Sequence, residues 1–118
     1  MISHNQSSES SNANEKIFRV DKFIVPENGR IEFLDTVKKT HTFLRTLPGF
    51  KQDFIFEQFS GFGKYNFVTV VEWINIDYVN SAKVAVQEMQ KKEGYNPQEI
   101  MKRNEISSDF SFCKSLVF

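Results

Sequence analysis

Hydrophobic spacing along the chain switches between two periods. Ile17-Phe18-Arg19-Val20-Asp21-Lys22-Phe23-Ile24-Val25 is rich in β-branched and aromatic residues, and it stops at the turn sequence Pro26-Glu27-Asn28-Gly29. Arg30 to Thr46 is helical in period: Leu34, Val37, His41 and Leu44 share one stripe, which Ile31 and Leu47 extend. Pro48-Gly49 ends that helix. Phe50 to Phe59 reads as a second strand, Ser60-Gly61-Phe62-Gly63-Lys64 as a hairpin loop, and Tyr65 to Ile74 as a third strand centred on Val68, Thr69, Val70 and Val71. A second helix opens at Asn75-Ile76-Asp77, with Val79, Ala82, Val86 and Met89 as its apolar stripe. Lys91 and Lys92 suit its last turn, and Gly94 suits its end. Asn96-Pro97-Gln98-Glu99 launches a short third helix to about Arg103, and Asp109 to Phe118 is a fourth strand.

The main order is β-α-β-β-α-β. It predicts an α+β, ferredoxin-like fold, with a four-stranded antiparallel sheet and both helices on one face. The strands do not alternate cleanly between apolar and polar. Phe54 and Phe56 oppose Ile55 and Phe59; Phe67, Val71 and Trp73 oppose Val68, Val70 and Ile74; Phe18, Val20 and Ile24 oppose Ile17, Phe23 and Val25. Both faces of the sheet are therefore apolar, and the helices cover only one. A second copy of the chain, stacked sheet to sheet, is the simplest cover for the other. The alternative is that the short helix or the N-terminal tail folds across it.

The chain has 118 residues, one domain's worth. Residues 1–15 are polar and too poor in apolar groups to offset the entropy of ordering. They are expected to form a disordered tail in which His4 has no role, leaving 16–118 as the folded domain. The tail lacks the apolar core of a secretory leader, and no run approaches the roughly 18 apolar residues of a membrane span. A cytoplasmic protein is the default expectation. Fifteen basic residues balance fifteen acidic ones. A neutral chain suits neither a nucleic-acid partner nor an anionic membrane surface. Cys113 stands alone, so no internal disulfide or thiolate metal site can form, and it is expected to be a small buried hydrophobe. Thirteen of the seventeen aromatic residues are Phe.

Candidate chemistry is sparse. His41 stands among apolar residues on the first helix. An imidazole ordinarily titrates at about pH 6.5, which suits a base at neutral pH; a histidine in that place can equally be core, satisfied by a neighbour. Trp73 shares a strand face with Phe67, Thr69 and Val71, where it could wall a pocket and offer Nε1–H to a ligand oxygen, or simply pack under the second helix. Tyr78 begins the second helix beside its stripe and could reach the pocket mouth. Asn66 has the wrong parity for the same pocket. Gly61-Phe62-Gly63 joins two strands and is no dinucleotide fingerprint.

Two local features and the element order resemble the antibiotic biosynthesis monooxygenase family of the dimeric α+β barrel superfamily. Pro48-Gly49-Phe50 stands where the first helix meets the second strand, and Val70-Val71-Glu72-Trp73 leads into the second helix. The resemblance spans about Ile17 to Phe118. It implies a homodimer of stacked sheets, with a small-molecule pocket between sheet and helices in each subunit. Some members oxidise phenols or quinols with O₂ and without metal or flavin, so the resemblance implies no cofactor, no metal and a small aromatic ligand. His41 and Trp73 are the expected catalytic residues, with Tyr78, Thr69 and Phe67 as substrate contacts. Quinone-forming members carry an Asn four residues before the Trp, where this chain has Thr69. Haem-binding members carry a His in the second helix, and Asp77 to Lys92 contain none. The same fold could also serve as a non-catalytic ligand-binding or structural dimer, its pocket filled by its own Phe side chains.

Overall fold

A computed structural model describes residues 15–118. The expected polar tail, with His4, lies outside these apart from Glu15. Four strands, β1 (Ile17–Ile24), β2 (Phe50–Glu57), β3 (Phe67–Trp73) and β4 (Ser107–Cys113), form one antiparallel sheet in the order β2-β3-β1-β4. Helix α1 (Arg30–Leu44) connects β1 to β2, and α2 (Ile76–Glu93) with the short α3 (Pro97–Arg103) connects β3 to β4. This is the ferredoxin-like α+β fold that the hydrophobic pattern predicts.

The helix boundaries follow local chemistry. The Asn75 side chain caps α2 by accepting from the N–H groups of Asp77 and Tyr78, at 3.0 and 3.4 Å. Gly94 closes α2 in the left-handed conformation, at φ +74. Asn96 caps α3 in the same way as Asn75 caps α2, with Pro97 in its first turn. Gly49 also has positive φ, at +85, and the ring of Tyr78 lies directly against it, where any Cβ would overlap Cγ.

Strand register shows what the helices cover. Phe23 pairs with Phe67, Asp21 with Thr69, Arg19 with Val71 and Ile17 with Trp73, and all of these face the helices. The core under the helices is in two pieces. Val25, Phe33, Val37, Phe67 and Ile106 pack together at one end of the strands; Val71, Trp73, Val79 and Ala82 pack at the other. The polar row Asp21–Thr69, with Arg19 beside it, lies between.

Several expectations change. Phe33, not Ile31, is the buried first-turn residue of α1, and Ile31 is largely exposed, because the stripe slips by about one position at the helix start. The helix ends at Leu44, two residues early, in a tight turn with Thr46 N–H donating to Phe43 O. β2 stops at Glu57 and β4 at Cys113, so Phe59, Leu116, Val117 and Phe118 lie outside the sheet and are exposed. Cys113 is exposed on the edge strand rather than buried. Asn66 ties the β2–β3 loop to the end of β1 by bonding both the N–H and the carbonyl of Val25, each at 2.8 Å.

The uncovered face carries Phe18, Val20, Phe54, Phe56, Val68 and Val70, as both-sided patterning predicts, but on β4 it carries Ser107, Asp109, Ser111 and Cys113. The apolar patch is therefore confined to β2, β3 and β1. Helix α3 does not cross it. It packs along α1 with Ile100 buried, and its Arg103 and the following Asn104 bond the Glu32 carboxylate.

Candidate functional site

A cavity of about 600 Å³ opens between the sheet and the helices, along the gap between the two core clusters. Its inner wall combines Val37 and His41 of α1, Thr69, Val71 and Trp73 of β3, and Val79 and Ala82 of α2. Towards β4 its walls are Arg19, Asp21, Phe110 and Phe112 on the sheet, with Asn80, Lys83, Gln87 and Gln90 on α2. Ligand pockets commonly have this character, with apolar walls and a few placed polar groups.

His41 is 6% exposed. Its Nδ1 lies 2.9 Å from Oδ2 of Asp53, on the covered face of β2. A carboxylate can only accept, so Nδ1 carries the hydrogen and Nε2 of the neutral ring carries the lone pair. Arg45, one helical turn beyond His41, donates to the same carboxylate at 3.0 Å. Burial pushes the Asp53 carboxyl up, but the hydrogen bonds from His41 and Arg45 outweigh it and leave the pKa below the ordinary aspartate value. Asp53 is thus an ionised anchor for the imidazole.

His41 Nε2, Thr69 Oγ1 and Trp73 Nε1 make no hydrogen bond among the described residues. Yet no buried side-chain nitrogen or oxygen among those residues is left without a partner. All three residues line the cavity. An imidazole, a hydroxyl and an indole thus belong to the lining of one largely apolar hollow. Trp73 is fixed there by Phe50, whose ring meets it edge-on at 6.0 Å.

The structure brings His41, Thr69 and Trp73 together at the cavity and leaves Phe67 and Tyr78 out. Phe67, at 2% exposure, is packed against Phe33 with ring centroids 4.9 Å apart, and Tyr78 covers Gly49. Parity assigns Phe67 to the correct face but cannot say which end of the strand the cavity occupies. Sequence reading missed Asp53, Arg45, Arg19 and Asp21. The signal for Arg19 and Asp21 was their parity with Ile17 and Phe23, which puts two charges on a covered face. Asp53 was hidden by an irregularity between Phe50 and Gln52 that shifts the register of β2. Among the described residues, no group of His, Cys, Asp and Glu could hold a metal ion, and no helix is long and apolar enough to cross a membrane.

By sequence, no protein-family model and no curated protein matches the chain. By structure, it is similar to SnoaB of Streptomyces nogalater, a cofactor-independent oxygenase, at TM-score 0.65 and 16% identity over 88% of this chain and 96% of that one. A candidate monooxygenase of Shewanella loihica matches at TM-score 0.67 and 12% identity, over 88% of this chain and 97% of that one. A dimeric ferredoxin-like protein from an uncultured marine organism matches at TM-score 0.61 and 14% identity, over 88% and 98%. Proteins of unknown function share the architecture. The chain therefore has the ferredoxin-like α+β fold found in these oxygenases and in dimeric proteins of no known activity. At such identities the likeness is one of fold alone.

Proposed function

We propose that the protein is a cofactor-independent monooxygenase that oxidises a small phenol- or quinol-type aromatic with O₂ in this cavity. The observation that carries the reading is the set of three polar residues in the lining of one buried cavity, His41, Thr69 and Trp73, with the imidazole oriented by Asp53. In this reading Nε2 of His41 takes the phenolic proton, and Trp73 Nε1–H and Thr69 Oγ1 hold the substrate oxygen. The anion passes one electron to O₂. The resulting pair recombines with formation of a C–O bond, and the hydroperoxide loses water to leave a quinone. His41 returns its proton to the peroxide, so a phenol and one O₂ give a quinone and one water, and each product receives one of the two atoms of O₂. The apolar walls keep solvent from the reactive intermediates. The fold shared with SnoaB, itself a cofactor-independent oxygenase, supports this reading.

The active unit is proposed to be a homodimer. The apolar patch of β2, β3 and β1 includes Phe54 and Phe56, which are 44% and 53% exposed, and a second copy of the same patch is its self-complementary cover. The test of function is oxygen uptake by metal- and flavin-free protein with hydroxylated naphthalenes. Uptake lost in His41→Gln and Trp73→Phe supports the reading. Ligand-dependent thermal stabilisation without uptake supports a binder of the same fold instead.

A further inference from the structure

We propose that the β4 side of the cavity selects a ligand bearing a carboxylate, held by Arg19. The proposal rests on the cavity being the ligand site and adds the charge of the ligand to that reading. Arg19 lies on the covered face of β1, opposite Val71 on one side and Phe112 on the other. Its guanidinium sits over the Phe110 ring, 4.2 Å from the centroid. One edge is fixed: Nε donates to Asp21 Oδ1 at 2.9 Å and Nη2 to Asp21 Oδ2 at 3.1 Å. Nη1 makes no hydrogen bond among the described residues, so that side of the fork is free for an acceptor.

The charge count favours an anion. Lys83 stands on the cavity side of α2 with no carboxylate within 4.0 Å among the described residues. The wall thus carries two cations against one carboxylate, and that carboxylate is already engaged in orienting Arg19. His41 and Thr69, at the buried end, meet a hydroxyl. A flat ligand with a hydroxyl at one end and a carboxylate at the other uses both ends. Arg19 is here a specificity residue and takes no part in proton or electron transfer.

The test is calorimetric titration with 6-hydroxy-2-naphthoate and its methyl ester, which share ring and hydroxyl and differ in charge. The acid is expected to bind roughly tenfold tighter than the ester at low salt, with the preference shrinking as salt is added. Arg19→Gln combined with Asp21→Asn removes the pair without leaving a lone charge and should bring the two ligands to within about twofold. Lys83→Gln, on the exposed rim, should cut the preference about threefold even if the double variant does not fold. His41→Gln should leave the preference intact while abolishing oxygen uptake, which separates this proposal from the catalytic one. Equal binding of acid and ester, or a preference that survives in the folded double variant, overturns the carboxylate site alone. Binding of neither ligand overturns it together with the reading of the cavity.

Discussion

Nδ1 of His41, on the last turn of α1, lies 2.9 Å from Oδ2 of Asp53 on β2, and both side chains are less than 10% exposed. The contact joins a helix to a sheet edge and settles which imidazole nitrogen is free. It gives a defined orientation to a histidine whose place on an apolar stripe leaves its role ambiguous in the sequence.

If that base works as proposed, His41→Gln lowers the rate of oxygen uptake by about 10²- to 10⁴-fold, the usual worth of a positioned general base. Binding of a phenolic ligand should change little, since glutamine preserves size and polarity. Asp53→Asn should lower kcat with KM nearly unchanged, because the amide can donate to Nδ1 and shift the hydrogen to Nε2. Steady-state kinetics of the two variants, with calorimetric binding beside them, checks both statements.

Asp53 also makes stability depend on pH. Its carboxyl has a lowered pKa in the fold, so in the acid range the unfolded chain binds more protons than the folded one. The stabilisation is fully present above the ordinary aspartate pKa of about 3.9 and is lost as pH falls through the lower folded value. Glu32, bonded by Asn104 and Arg103, and Glu57, bonded by Arg30, are shifted in the same direction. Both remain in Asp53→Asn, so subtracting the variant's urea-denaturation curves from the wild type's isolates Asp53. The variant is expected to be less stable at neutral pH and to show a shallower decline into acid.

Gly49→Ala tests the junction behind Trp73. The backbone there has φ +85, and the new methyl overlaps Tyr78. The strained conformation alone costs of order 1–3 kcal/mol, and the overlap adds to it. Chemical denaturation should show a loss of at least about 2 kcal/mol, and adding Tyr78→Ala should not restore it, because the Cβ that alanine keeps at position 78 still overlaps the new methyl and the strain remains.

Phe54→Glu with Phe56→Glu places two charges on the open sheet face. Sedimentation of the wild type should report a mass of two chains, and the variant a mass of one. A wild type that sediments as one chain removes the stacked-sheet arrangement.

The fold was legible because its information is local and repeated. Asn75, Gly94 and Asn96-Pro97 mark helix ends within a few residues, and the β-branched centre of β3 allows little but a strand. The strand ends were not, since apolar side chains such as Phe59 and Leu116 give no sign that pairing has stopped. The site was half legible. Trp73, Thr69 and His41 announce themselves by face and stripe, whereas Asp53 depends on a register shift, and Arg19 on which strands the helices leave uncovered. Those are relations between distant segments, and a hydrophobic pattern carries them only weakly.

The most direct measurement is oxygen consumption by the purified, metal- and flavin-free protein given a hydroxylated aromatic that binds the cavity, with product formed compared to O₂ consumed. The account predicts one quinone and one water per O₂, at a rate that collapses in His41→Gln while ligand binding persists. Oxygen uptake equal in wild type and His41→Gln, or none with any ligand that fills the cavity, would contradict it.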